Sequence, residues 1–298
     1  MARVCFRLTK SPEEMGFHMK LARIRSGGAE DFAIADDGAW VTFKALGLDA
    51  STTAEAIGLF SHAKRTYAGH RAEGISDPTF TAPLRNVGKI LAIGLNYLDH
   101  IEETKATRPE RPIIFAKYTS SVTGPFSQIV IDDELTEKGD YESELAVIIG
   151  ERCRNVPEED ALGVVFGYTV ANDVSARDWQ RAESQWSRSK SFDTFCPVGP
   201  WITSADEISD PNALAIRSEV NGEVRQDSST SKMLFHVPFL IAYISRSMTL
   251  EPGDVILTGT PHGVGFAMSP PKYLAPGDRV RCEIEGLGRI ENPVVGAR

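Results

Sequence analysis

Cysteine is sparse in this sequence, and the four that occur, Cys5, Cys153, Cys196 and Cys282, stand far apart with no C-x-x-C pair. That spacing excludes a disulfide framework and a zinc knuckle, and predicts free thiols. A basic block is also missing. The 41 acidic side chains outnumber the 32 basic ones, for a formal charge of −9. Sequence-independent binding to nucleic acid or to an anionic membrane needs clustered Lys and Arg, so neither is expected. Long apolar runs are absent as well. The greasiest stretch, Met233 to Ile244, is interrupted by His236 and Pro238 and is too short to span a bilayer. The first residues carry Arg3, Arg7 and Lys10 but no apolar stretch of the signal-peptide kind. These absences predict a soluble, cytoplasmic protein.

What is present is ordinary globular material, 42% hydrophobic and 24% charged over 298 residues, enough for a substantial core and about two domains. Residues 1–83 read as a small unit. Phe32 to Ala35 and Trp40 to Phe43 flank Asp36-Asp37-Gly38 as two strands about a turn, and the Ala-rich residues 51–70 read as a helix. Residues 84–298 read as a second unit, rich in strands. Apolar runs at Lys89 to Ile93, Leu145 to Ile149 and Phe166 to Ala171 are strand candidates. Leu214 to Gln226 reads as a hairpin about Asn221-Gly222. Turns at Pro252-Gly253-Asp254 and Pro276-Gly277-Asp278 each launch a strand, and Thr230 to Arg246 reads as a helix started or kinked by Pro238. Strands outnumber helices without alternating with them, which predicts an α+β, predominantly β fold.

Several short patterns carry chemistry. In Asp140-Tyr141-Glu142-Ser143-Glu144, strand periodicity puts Glu142 and Glu144 on one face at the mouth of an apolar run. Adjacent carboxylates repel, and a hard divalent cation relieves the repulsion; the bland alternative is an exposed strand end with two solvated acids. Asp173 follows a second apolar strand, where it is either a further acidic ligand or a helix N-cap. His100 and Glu103, three apart, share a face on a helix. There the carboxylate can orient the imidazole as a base, or the pair can be a plain surface feature. The run Gly259-Thr260-Pro261-His262-Gly263-Val264-Gly265 lacks the endings of nucleotide-binding loops. It reads as a loop whose backbone approaches a small ligand, or as a structural turn.

Taken in order, these stretches resemble the fumarylacetoacetate hydrolase superfamily from about Leu84 to the C-terminus. The resemblance rests on Gly94 to Glu103, Asp140 to Glu144, Asn172 to Asp178, Lys190 to Pro197, Asn221-Gly222-Glu223 and Thr258 to Gly265. It implies a mixed β-sandwich roll as catalytic domain, usually in a homodimer. It implies Mg²⁺, or alternatively Mn²⁺ or Ca²⁺, at Glu142, Glu144 and Asp173, with His100 and Glu103 as a water-activating dyad and Lys190 as a cation beside developing negative charge. Arg177, Gln180 and Thr260 become substrate contacts. The implied substrate is a small 2-oxo acid, and the activity put first is metal-dependent hydrolysis of a C–C bond in a 2,4-dioxo acid through a stabilised enolate. Decarboxylase, tautomerase or isomerase, and ureidoglycolate-type lyase activities use the same enolate; a non-catalytic metabolite-binding β-roll is the reading from another class. Departures from the family pattern at Tyr118, Ser189 and His262 bear on substrate identity, not on the three carboxylates.

Overall fold

The computed structural model describes residues 19–35, 39–69 and 74–297. Among the described residues strands dominate, in two main sheets and a separate two-stranded one. The larger runs in the order Val41–Thr42, Ala29–Ala35, Lys20–Ser26, Cys196–Ser204, Val165–Asn172, Ser143–Ile149, Val255–Leu257, Ile90–Gly94, Ile113–Lys117. Along this path the pairs are antiparallel except Val255–Leu257 with Ile90–Gly94. The smaller sheet holds Glu223–Ser229, Ala215–Val220, Arg279–Ile284, Gly288–Gly296 and Ile129–Ile131. The expected α+β, mostly β architecture is the one observed.

The central strands of the large sheet are buried on both faces, which is why they read as unbroken apolar runs. In Ser143–Ile149, Leu145, Val147 and Ile149 point to the core between the sheets, where they meet Ile216, Val280 and Ile290 of the smaller sheet. Ala146 and Ile148 point the other way, to a second core under the Thr53–Gly69 helix, with Ile57 and Phe60. Glu144 has the parity of Ala146, and Ser143 that of Leu145. Each strand that reaches the site is thus fixed by two apolar layers before its polar end is placed.

The residue 1–83 segment and the residue 84–298 segment share the large sheet, since Lys20–Ser26 pairs with Cys196–Ser204. The strands Ala29–Ala35 and Val41–Thr42 pair as expected, while the Asp36-Asp37-Gly38 turn lies outside the described residues. The Asn221-Gly222 hairpin is present, with both residues at positive φ (54° and 80°), as its type of tight turn requires. The helix expected over Thr230 to Arg246 is shorter. It spans Val237–Ser245 with Pro238 in its first turn, after a separate 3₁₀ turn at Thr230–Lys232. Asn96 prevents a continuous helix: its carbonyl and side-chain oxygens accept from the Leu234 and Phe235 amides at 2.7 and 2.9 Å, holding that stretch extended. Among the described residues no helix is long and apolar enough to cross a membrane. Cys153, Cys196 and Cys282 are free and buried; Cys5 lies outside the described residues.

Candidate active site

Three chain segments deliver the acids. The Gly139–Asp140 strand pairs with Ser175–Ala176, and Ser143–Ile149 pairs with Val165–Asn172. The continuous strand expected from Asp140 onward is therefore divided at Tyr141-Glu142. Cross-links fasten the division: the Glu142 amide donates to Asn172 Oδ1 and the Asp173 amide to the Glu142 carbonyl, both at 2.9 Å. Glu142, Glu144 and Asp173 are all buried, with one oxygen of each within 4.8 Å of the others. Two ligand bonds of ~2.0–2.6 Å cover that separation, so a single hard cation fits. Burial rules out the solvated-strand alternative. Asp173 is no N-cap either: Ala176 stands at the start of the next helix, Arg177–Ala182.

Cations compensate most of this charge. Lys190 Nζ lies 2.6 Å from Glu142 Oε2 and 2.8 Å from Asp173 Oδ2. Lys117 Nζ sits 2.6 Å from Asp173 Oδ1 and also donates to the Lys190 carbonyl. Arg177 spans Asp140 Oδ2 (2.8 Å) and Glu142 Oε1 (2.7 Å). Against the cost of burial, Lys190 and Arg177 bring the Glu142 carboxyl down to about 2. Glu144 goes the other way. Burial, with Asp173 and Glu142 alongside, raises it well above the usual carboxylate range. Among the described residues it has no ion-pair partner; its contact is the Gly259 amide, at 2.8 Å. A buried acid without a cation beside two more carboxylates is the local chemistry a divalent ion would complete. An ion held by all three would share Glu142 and Asp173 with Lys190.

His100 and Glu103 lie on the Leu98–Thr104 helix, with Nδ1 and Oε1 2.9 Å apart. His100 is buried, so the surface alternative fails for it. With Nδ1 engaged, Nε2 is the nitrogen left for the cavity whose wall His100 forms with Glu142, Glu144 and Lys190. That cavity is about 280 Å³, with Phe115, Trp186 and Phe266 among its apolar lining. Trp186 occupies the space a side chain on Gly94 would fill. Phe266 meets the His100 ring edge-on and lies under the Arg177 guanidinium, 4.4 Å from its centroid.

The glycine-rich loop approaches the protein's own carboxylates. The Gly259 amide binds Glu144, the Gly263 amide binds both oxygens of Glu103 (3.0 Å each), and the Gly265 and Phe266 amides bind Asp140 at 2.8 and 3.1 Å. Gly259 and Gly263 adopt φ of +93° and +97°. A Cβ on Gly259 would stand 2.8 Å from that of Asn96, and one on Gly263 would collide with the Arg225 carbonyl. Thr260 lines the cavity, but its hydroxyl donates to the Ser143 carbonyl (3.0 Å) and accepts from Gln226 (2.7 Å). Gln180 lines the cavity and accepts from Arg177 at 2.9 Å. Arg177 itself is taken up by protein partners. Sequence reasoning missed Lys117, Asp140, Phe266 and Trp186 as parts of the site. The one available signal was a lysine closing the apolar strand Ile113–Lys117.

The family model for the fumarylacetoacetate (FAA) hydrolase C-terminal domain matches residues 89–295. The chain belongs to the fumarylacetoacetate hydrolase family. A mitochondrial oxaloacetate tautomerase of Xenopus laevis is 51% identical over 222 residues, covering 74% of this chain and 69% of that protein. A fumarylacetoacetate hydrolase from Exiguobacterium antarcticum superposes with a TM-score of 0.81 at 37% identity, covering 94% of this chain and all of the other. Maleylpyruvate hydrolase from Sphingobium, in complex with manganese(II) and pyruvate, does so with a TM-score of 0.77 at 31% identity, over 94% and 100%. The expected cytoplasmic location is corrected by these comparisons, because the tautomerase relatives of this family member are mitochondrial. Mitochondrial targeting segments are amphipathic and Arg-rich rather than apolar, so the apolar-run criterion had no bearing on them.

Proposed function

We propose that this protein is a divalent-metal-dependent keto–enol tautomerase of a short 2-oxo dicarboxylic acid of the oxaloacetate kind. The carrying observation is the His100–Glu103 pair, 2.9 Å apart, on the wall of a cavity lined by Glu142 and Glu144. The tautomerase relatives at 48–51% identity support this reaction over the C–C hydrolysis put first on sequence grounds. Glu142, Glu144 and Asp173 would hold Mg²⁺ or Mn²⁺. When bound, the ion supplies Lewis acidity for the negative charge of an enolate. Glu103 keeps the proton of His100 on Nδ1, so Nε2 takes the proton of the enol oxygen. Nε2 then returns that proton to the adjacent carbon, which leaves His100 neutral again and yields the keto acid. Lys190 adds fixed positive charge, and Phe115, Trp186 and Phe266 limit the water that competes for the proton.

A second reading keeps the same parts. Nε2 of His100 takes a proton from water rather than from an enol, and hydrolysis of a 2,4-dioxo acid follows. The manganese- and pyruvate-bound maleylpyruvate hydrolase favours it. The deciding experiment follows decay of enolic oxaloacetate by ultraviolet absorbance, with Mg²⁺ or Mn²⁺ and after chelation, beside turnover of acetylpyruvate. Tautomerisation should exceed the uncatalysed rate, require the ion, and fall by ~10²-fold or more in His100→Ala. If acetylpyruvate is cleaved and enolic oxaloacetate decays at the uncatalysed rate, hydrolysis is the activity.

A further inference from the structure

Three positively charged side chains line the active-site cavity: Lys190, Arg177 and Arg181. Two are already committed. Lys190 is held between Glu142 and Asp173, and Arg177 between Asp140 and Glu142. Arg181 differs. It lies one turn beyond Arg177 on the Arg177–Ala182 helix, and among the described residues no carboxylate lies within ion-pair distance of it. Its guanidinium rests 5.6 Å from the centroid of Phe266, the ring that also meets Arg177 and His100. Neighbouring arginines find acids without difficulty: Arg188 pairs with Glu183 and stacks on Trp179. The cavity thus has an acidic end neutralised from within and, along the Phe266 ring, a cationic end left unneutralised.

We propose that Arg181 is a specificity-determining residue, which receives the distal carboxylate of a dicarboxylic 2-oxo acid while the other end of the molecule lies toward Glu142, Glu144 and Asp173. This rests on the reading of the site as one for 2-oxo acids. A planar guanidinium donates two parallel hydrogen bonds to a carboxylate, and contact with the aromatic ring favours the guanidinium's place beside the cavity. Discrimination follows from charge: a monocarboxylic acid of the same length leaves the guanidinium to water and gains nothing from it.

Binding tests this independently of turnover. L-malate and 2-hydroxybutyrate share a four-carbon skeleton and differ in the distal carboxylate. Calorimetric titration of the Mg²⁺-loaded protein should show malate binding about 10- to 100-fold more tightly, the range expected of a charge-assisted hydrogen bond. Arg181→Met keeps the stem over Phe266 and removes the charge, and should bring malate down to the level of 2-hydroxybutyrate. Arg188→Met, outside the cavity, should leave the preference intact. A wild type that does not prefer malate, or an Arg181→Met variant that still does, overturns the assignment. If the preference follows Arg181 while enolic oxaloacetate decays at the uncatalysed rate, the subsite stands and the tautomerase reading falls.

Discussion

Glu103 is held from two sides: the Gly263 amide reaches both of its oxygens at 3.0 Å, and His100 Nδ1 meets Oε1 at 2.9 Å. The imidazole is therefore oriented by a carboxylate that is itself oriented by main chain. Asp99 reinforces the arrangement, accepting from Ser228 Oγ at 2.5 Å and lying 3.1 Å from His262 Nδ1. The Leu98–Thr104 helix is in this way fastened both to the glycine loop and to the Glu223–Ser229 strand.

Gly263→Ala should disturb that chain of contacts at its origin. The added Cβ meets the Arg225 carbonyl, and φ is +97°. We expect a stability loss of about 1–3 kcal/mol, with kcat reduced and metal affinity retained. An alanine variant with wild-type melting and wild-type kcat would show that the loop does not set the dyad.

Glu144→Gln separates metal binding from fold stability. The folded chain raises this carboxyl above its unfolded value of 4.5, through burial and then through Asp173 and Glu142. Its contribution to stability is therefore fully present below pH 4.5 and is lost as pH rises through the folded value. Metal-free Glu144→Gln should melt above the wild type at pH 7, with the gap closing toward pH 4.5. Adding Mg²⁺ or Mn²⁺ should raise the melting temperature of the wild type alone. Thermal scans in chelator and in metal check both halves; a metal-free variant melting below the wild type at pH 7 refutes the first.

Lys117→Met should be costly. It removes the buried cation 2.6 Å from Asp173 Oδ1 and leaves the carboxylate half-compensated. Loss of one partner from a buried pair destabilises by about 3–5 kcal/mol. Denaturant unfolding in chelator measures it, and a loss under ~1 kcal/mol would place Lys117 outside the electrostatic framework.

Cys196 and Cys282 should be inert in the native state. Burial pushes both thiols up to about 12, leaving little thiolate at pH 8. Peptide mapping after iodoacetamide treatment should find both unmodified natively and both labelled after denaturation. Native labelling of either would mean that the core between the strands opens on the timescale of the reaction.

How far these features were readable from sequence depends on their range. Leu145 to Ile149 and Phe166 to Ala171 were legible as strands because burial on both faces leaves them wholly apolar, and Asn221-Gly222 because its turn demands positive φ. Glu142 and Glu144 were legible as a pair because they alternate on one strand, whereas Asp173, far along the chain, joined them only through the family resemblance. Lys117 was not, since its partner Asp173 lies 56 positions away and a lysine closing an apolar strand does not by itself name that partner. The Thr230–Arg246 segment was misread as one helix because propensity says nothing of Asn96, whose hydrogen bonds arrive from more than a hundred residues upstream. The glycine loop was read as facing a ligand; nothing local shows that its amides face Glu144, Glu103 and Asp140.

Those amides have an evolutionary corollary. Anchors made by peptide N–H groups survive exchange of the side chains that flank them, provided Gly259 and Gly263 keep their conformations. His262 can therefore be exchanged while the loop goes on gripping three acids. Among the same seven residues, exchange at His262 therefore leaves the main-chain grip in place, whereas a side chain at Gly259 or Gly263 breaks it, so drift at the first position need not pass through loss at the other two.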